Sequence, residues 1–194
     1  MNITAGDVII YSANFITLYL VILWLVVFWQ NKNNIYKPKL KKNFPSVSII
    51  VPCFNEERTI IKTVRSLLDL DYPKNKLEII VIDDGSKDRT YQRAEKLLKY
   101  KQVKLFHKEN GGKWTALNYG IEKSNSEFIG CLDADSFVAS DALKLIIPYF
   151  KDKNVMAVTS SLKVFQPRNT LQQIQWVEYI VTIIQRKILS CLNS

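Results

Sequence analysis

The sequence predicts an α/β domain with a mainly parallel sheet and helices on both faces, preceded by one transmembrane helix. Three observations carry this. Short β-branched runs alternate with helix-spaced segments through residues 45–165, the pattern of strands joined by crossover helices. Four apolar runs each end in a polar loop: Asn55-Glu56, Asp83-Asp84-Gly85, Gly111-Gly112-Lys113 and Asp133-Ala134-Asp135. Residues 8–29 carry no charge and are dense in Ile, Leu, Val, Phe and Trp. A run of about 20 such residues crosses a bilayer as a helix.

The N-terminal run is a retained span rather than a signal peptide. Asp7 precedes it with no Lys or Arg, no small-residue cleavage site follows, and Trp24 and Trp29 suit a membrane interface. Residues 1–30 are therefore expected to form the anchor. Residues 31–44 form a basic tether with Lys32, Lys37, Lys39, Lys41 and Lys42. Lysines on that side place the main domain in the cytosol at the cell membrane, facing acidic lipid headgroups.

Val47 to Val51 reads as the first strand. Thr59 to Leu70 follows as a helix with apolar residues at 60, 61, 64, 67 and 68. Leu77 to Ile82 is the second strand. Arg89 to Tyr100 is a helix with Tyr91, Ala94 and Leu98 on one face, and Val103 to His107 the third strand. Gly111-Gly112 breaks the chain before a helix from Trp114 to Ser124, and Glu127 to Leu132 is the fourth strand. Asp141 to Phe150 is expected to be a helix with Ser140 as N-cap, and Val155 to Thr159 a further strand. Residues 166–194 hold a long apolar helix from Thr170 to Leu192. Glu178, Arg186 and Lys187 argue against a second span. An amphipathic helix at the membrane surface and a core helix both fit its periodicity.

Composition narrows the chemistry. The net charge is +9, yet no nucleic-acid motif or Arg-aromatic interleaving is present, so no nucleic-acid partner is expected. Three widely spaced cysteines and one histidine, His107, leave little material for zinc sites or for Cys/His and Ser/His/Asp catalysis.

Right-handed crossovers bring the four polar loops to one sheet edge, where open α/β sheets bind ligands. Asp133 and Asp135 lie one residue apart after a buried strand. Alternation of two lets both side chains grip one hard divalent cation, Mg²⁺ or Mn²⁺. Such an ion would neutralise a diphosphate as it becomes a leaving group. An isolated Asp-x-Asp more often marks a solvated turn; its position after a strand favours the metal. Asp83 and Asp84 can accept hydrogen bonds from a nucleobase imide or ribose hydroxyl, although Asp-Gly also makes plain turns. Lys113 can place a cation beside phosphate. Its loop is not a Walker A loop, since Trp114 stands where Ser or Thr belongs.

Val47-Ser-Ile-Ile-Val-Pro-Cys-Phe-Asn-Glu56, Val81-Ile-Asp-Asp-Gly-Ser86, Gly112-Lys-Trp-Thr-Ala-Leu-Asn118 and Cys131-Leu-Asp-Ala-Asp135 together resemble the family 2 glycosyltransferases. The membrane-bound branch, with synthases of poly-N-acetylglucosamine, hyaluronan and cellulose, is the nearest likeness. The resemblance covers about residues 45–164. It implies a GT-A fold, a nucleotide-diphospho-sugar donor, a divalent metal, inversion at the anomeric carbon, and a glycan or lipid acceptor. By position it implies that Pro52, Phe54 and Glu56 line the nucleotide pocket. Asp84, with Asp83 beside it, meets base and ribose; Lys113 approaches the donor phosphates; Asp133 lies near the donor sugar and diphosphate; and Asp135 ligates the metal.

The family's later Thr/Ser-Glu-Asp, whose Asp is the general base, and its Gln-x-x-Arg-Trp are absent; Gln172-Gln-Ile-Gln-Trp176 has Gln175 at the Arg position. Inverting transfer needs a base for the acceptor's proton. Three readings stay open: a truncated or split synthase, which is favoured; a donor-binding module completed by a further chain; or a short member with an unrecognised base. A nucleotidyltransferase would need a Gly-rich, Arg-bearing loop where Pro52-Cys-Phe-Asn55 stands.

Overall fold

The computed structural model describes residues 4–31 and 44–192. The basic tether of 31–44 lies almost wholly outside the described residues. The chain divides into two units, one from residues 1–37 and 160–194, the other from residues 38–159.

The first unit holds two long helices. Helix α1 (Ala5–Asn31) is opened by Thr4, whose hydroxyl and amide both donate to Asp7 Oδ2 at 2.7 and 2.9 Å. The Asp7 amide donates back to Thr4 Oγ1 at 3.3 Å. This reciprocal cap satisfies donors that a helix start leaves open. Among the described residues α1 is the one helix long and apolar enough to cross a membrane. Helix α6 (Thr170–Leu192) is capped by Asn169, whose side-chain oxygen accepts from the Gln172 amide at 2.8 Å. Ile174, Val177, Val181 and Ile184 form an exposed apolar stripe along it. Gln175, Glu178, Thr182 and Gln185 fall on a separate, polar arc, as a 3.6-residue period requires.

The second unit is the predicted α/β domain. Strands β1 (Val47–Cys53), β2 (Leu77–Asp84), β3 (Val103–Lys108) and β4 (Phe128–Cys131) form one sheet in the order β3-β2-β1-β4. All three pairings are parallel, with Ile49 opposite both Ile79 and Gly130. Helices α2 (Ile60–Leu68) and α3 (Thr90–Glu95) cover one face. There Ile49, Val51, Ile79 and Val81 meet Ile60, Val64, Leu67, Ala94 and Leu97. Helix α4 (Lys113–Glu122) covers the other, packing Ala116 on Ile50, Ile80 and Ile82. Burial on both faces explains why the central strands read as unbroken apolar runs. The fit is tight at Gly120, where a Cβ would stand 2.5 Å from Ile50 Cγ2.

Pro52 sits inside β1, between two other strands. The carbonyls of Ser46 and Ile50 both accept from β4-side amides, those of Phe128 and Leu132, so even-numbered residues of β1 point their backbone groups that way. Pairing with β4 stops at Ile50. The amide hydrogen that proline lacks is therefore not needed at position 52.

Three expectations are corrected. Residues 155–159 form no strand; Met156 is 87% exposed, and β-branched residues make a strand only when a partner takes their backbone bonds. The α3 segment stays α-helical only to Glu95, after which Leu97, Leu98 and Tyr100 donate to Ala94, Glu95 and Leu97. This three-residue tightening puts Leu97 beneath Ala94 and leaves Leu98, expected on one face with Tyr91 and Ala94, 48% exposed. The segment after β4 is α-helical only over α5 (Ala142–Ile146) and continues as a 3-10 turn through Pro148, whose ring removes the needed amide. Asp141, not Ser140, occupies the N-cap position, and Ser140 instead accepts the Asp71 amide through its carbonyl.

Candidate functional site

Because all strands run parallel, their C-terminal ends share one edge, and four loops meet there. The loops after β1 and β2 are tied to each other. The Asn55 amide donates to Ser86 Oγ at 2.9 Å and the Lys87 amide to Asn55 Oδ1 at 2.9 Å. Asn55 adopts φ +57°, a left-handed conformation that Asn tolerates better than most residues. The Glu56 amide donates to Thr90 Oγ1 at 2.7 Å, and the Glu57 amide to Asp88 Oδ2 at 3.2 Å. Burial pushes the Asp88 carboxyl up, but the Thr90 hydroxyl and amide and the Glu57 amide outweigh it and hold it below the usual range. Asn55 was expected only as part of the polar loop after β1, and Ser86, Asp88 and Thr90 were given no role of their own from sequence. The Asp-x-Thr spacing before α3 is the local signal that could have found Asp88, since such acids bond the backbone two residues on.

Period-two alternation sends the paired acids at the end of β2 to opposite faces. Asp83 turns to the α3 side, fully buried, with His107 Nδ1 2.7 Å from its Oδ2 and, among the described residues, no hydrogen-bond partner for Oδ1. Tyr91 stands edge-on to the His107 ring at 5.5 Å. Asp84 turns to the α4 side and is 3% exposed. Its Oδ1 accepts from Lys108 Nζ at 2.6 Å and the Gly111 amide at 3.1 Å, its Oδ2 from the Gly112 amide at 2.9 Å. Burial pushes the Asp84 carboxyl up, but the Lys108 hydrogen bond, the Gly111 amide, the Lys108 charge and the Gly112 amide together draw it down. Two carboxylate oxygens offer about four acceptor positions. Three are taken, which leaves one for a ligand donor.

Asp84 thereby fixes the glycine turn that starts α4. Gly112, at φ +89°, is the N-cap. Gly85, at φ +73°, lies against the same loop, and a Cβ there would meet the Asn110 amide nitrogen at 2.7 Å. Lys113, first residue of α4, reaches across to Asp133 on the loop after β4 and pairs with its Oδ1. The Asp133 carboxylate raises the Lys113 ammonium above the ordinary lysine range. Both side chains are about half exposed, at 57% and 52%. Between the two aspartates Ala134 is buried, its carbonyl accepting Thr63 Oγ1 at 2.7 Å. That anchor keeps Asp133 and Asp135 outward, and Asp135 is exposed.

Of the remaining expected residues, Pro52 is buried at the end of β1, Phe54 is 44% exposed at the rim, and Glu56 accepts Thr59 Oγ1 at 2.6 Å. The fold thus joins Lys113 to Asp133 and Asp84 to the Gly111-Gly112 turn, while Asp83 is parted from Asp84. Among the described residues no three His, Cys, Asp or Glu side chains converge on a metal position. Two outward carboxylates fit a hard cation that completes its shell with phosphate and water, as Mg²⁺ does, and not a closed structural site.

The chain is 37% identical over 144 residues to a poly-beta-1,6-N-acetyl-D-glucosamine synthase of Staphylococcus epidermidis, covering 72% of this chain and 34% of that protein. It is 38% identical over 127 residues to a beta-monoglucosyldiacylglycerol synthase of Trichormus variabilis, covering 63% and 27%. The chain thus spans about a third of the length of the curated relatives it matches. Among solved structures it is similar to the mannosyltransferase PcManGT from Pyrobaculum calidifontis in complex with GDP-Man and Mn²⁺. There the TM-score is 0.61 and the identity 27%, over 81% of this chain and 47% of that one. S. aureus TarS with UDP-GlcNAc matches at TM-score 0.51 and 29% identity, over 62% and 38%. The family model for glycosyl transferase family 2 matches residues 48–191, most of the chain's length, and the chain belongs to that family.

Proposed function

We propose that this chain supplies the donor site of a membrane-anchored inverting glycosyltransferase. It takes a nucleotide-diphospho-sugar, with UDP favoured over GDP by the likeness to a poly-N-acetylglucosamine synthase and to TarS, which holds UDP-GlcNAc, while PcManGT holds GDP-Man, and passes the sugar to a glycan or lipid acceptor. The observation that carries the reading is the bracketing of the α4 N-terminus by Asp84 on one side and by Lys113 and Asp133 on the other. A helix start favours anions, so a diphosphate between those groups has its base end toward Asp84.

In this reading Asp84 offers its remaining acceptor position to a base or ribose donor, with Pro52, Phe54 and Glu56 lining that side and Asp83 behind it. Lys113 meets the donor phosphates, and Asp133 and Asp135 hold Mg²⁺ or Mn²⁺. The ion supplies charge neutralisation to the departing diphosphate. Helix α1 anchors the chain in the cell membrane with the domain cytoplasmic, and the exposed stripe of α6 lies at the lipid surface.

A second reading is a donor-binding partner that needs another chain to complete its site. Donor hydrolysis and transfer are measured with Mn²⁺ on the chain and on Asp135→Ala. Activity lost in the variant supports the transferase. Activity indifferent to it refutes the metal assignment, and nucleotide binding without turnover selects the partner reading.

A further inference from the structure

The contact between Lys113 and Asp133 ties the start of α4 to the loop after β4, and it joins two groups with opposite duties. Lys113 is the cation available to a diphosphate; Asp133 is an acid available to a divalent cation. In the structure each satisfies the other. A carboxylate bonded to an ammonium offers less negative charge to a metal, and an ammonium bonded to a carboxylate offers less positive charge to phosphate.

We infer that Lys113 is an exchangeable counter-cation. It holds Asp133 while no donor is present, moves to the diphosphate when the donor arrives, and so frees Asp133 for the divalent cation. This rests on the donor-site reading above. Its consequence is thermodynamic coupling: diphosphate raises cation affinity, and by reciprocity the cation raises diphosphate affinity.

Three features make the exchange feasible. Both side chains are about half exposed, so neither is locked by packing and the pair is easily broken; exposed pairs hold by a factor of about two to five. Lys113 is the first residue of α4, and its backbone is set independently, by Gly112 as N-cap and by the Asp84 hold on Gly111 and Gly112. Asp133 is likewise set by its neighbour, since the Ala134 carbonyl is pinned to Thr63. Only the two side chains need to move.

The test uses the full chain in detergent micelles and Mn²⁺ binding read by electron paramagnetic resonance, with and without UDP or GDP. Four proteins are compared: the unaltered chain, K113M, D133N and the double variant. Without nucleotide, K113M is expected to raise Mn²⁺ affinity about two- to fivefold, and the gain produced by nucleotide falls by the same factor. On the D133N background K113M is expected to have no effect on nucleotide-free Mn²⁺ affinity, because the acid that Lys113 masks is gone. An equal K113M effect on both backgrounds means a general field and overturns the exchange. No K113M effect at all overturns it too. Failure of the unaltered chain to bind Mn²⁺ with either nucleotide overturns the donor-site reading itself, and the inference with it, which separates the two failures.

Discussion

Asp84→Asn probes the carboxylate that organises the turn into α4. Three donors converge on it: Lys108 Nζ at 2.6 Å and the Gly111 amide at 3.1 Å on Oδ1, and the Gly112 amide at 2.9 Å on Oδ2. An asparagine that keeps its oxygen at the Oδ1 position retains two acceptances but turns an NH₂ toward the Gly112 amide. One charge-assisted hydrogen bond is lost, about 1.5–3 kcal/mol. The other two weaken as the acceptor becomes neutral. Lys108 is 22% exposed, so water recovers part of its charge. The expected loss is about 2–4 kcal/mol, a large share of the roughly 5–15 kcal/mol typical of a domain. Urea unfolding of the detergent-solubilised chain measures it through the midpoint shift. A loss under about 0.5 kcal/mol, as for an ordinary surface acid, refutes the organising role. The pH dependence has a fixed sign. The folded Asp84 carboxyl is held below its ordinary value, so its contribution is present above the unfolded pKa of about 3.9 and fades as pH falls through the folded one. The gap between wild type and variant therefore narrows below about pH 4.

Two further outcomes follow from packing and pairing. His107→Ala removes the neighbour of a fully buried Asp83 whose other oxygen has no hydrogen-bond partner among the described residues. A destabilisation of about 2–3 kcal/mol is expected in the same unfolding assay, and unchanged stability contradicts the pairing. Gly120→Ala sets about 1 kcal/mol of helix propensity against about 1–3 kcal/mol of overpacking. The clash wins because Ile50, 2.5 Å from the new Cβ, is itself only 1% exposed. Thermal melts should show a net loss of up to about 2 kcal/mol, and a stabilised variant contradicts the tight seat of α4.

The sheet was readable because its central strands are apolar throughout and its crossovers are short, which leaves few topologies. What the sequence hid was cooperative. Residues 155–159 carry strand-forming side chains, but a strand depends on a partner that side-chain type does not encode. Leu97 and Leu98 are equivalent to a periodicity count, and only the local tightening decides which goes inside. At the site, the acids and Lys113 were legible as residue types after strands. That Asp83 and Asp84 serve opposite faces follows from alternation once β2 is known to reach Asp84; a strand ended at Ile82 hides it. The Asn55–Ser86 and Glu57–Asp88 ties join residues about thirty positions apart, beyond any local pattern.

The most direct measurement of the central claim is a calorimetric titration of UDP, and separately of GDP, into the full chain with Mn²⁺, repeated after chelation and with Asp135→Ala. The account predicts saturable binding of one nucleotide that weakens at least about tenfold, or 1.4 kcal/mol, when the ion or the Asp135 carboxylate is removed. Binding of neither nucleotide, or binding indifferent to both changes, contradicts it.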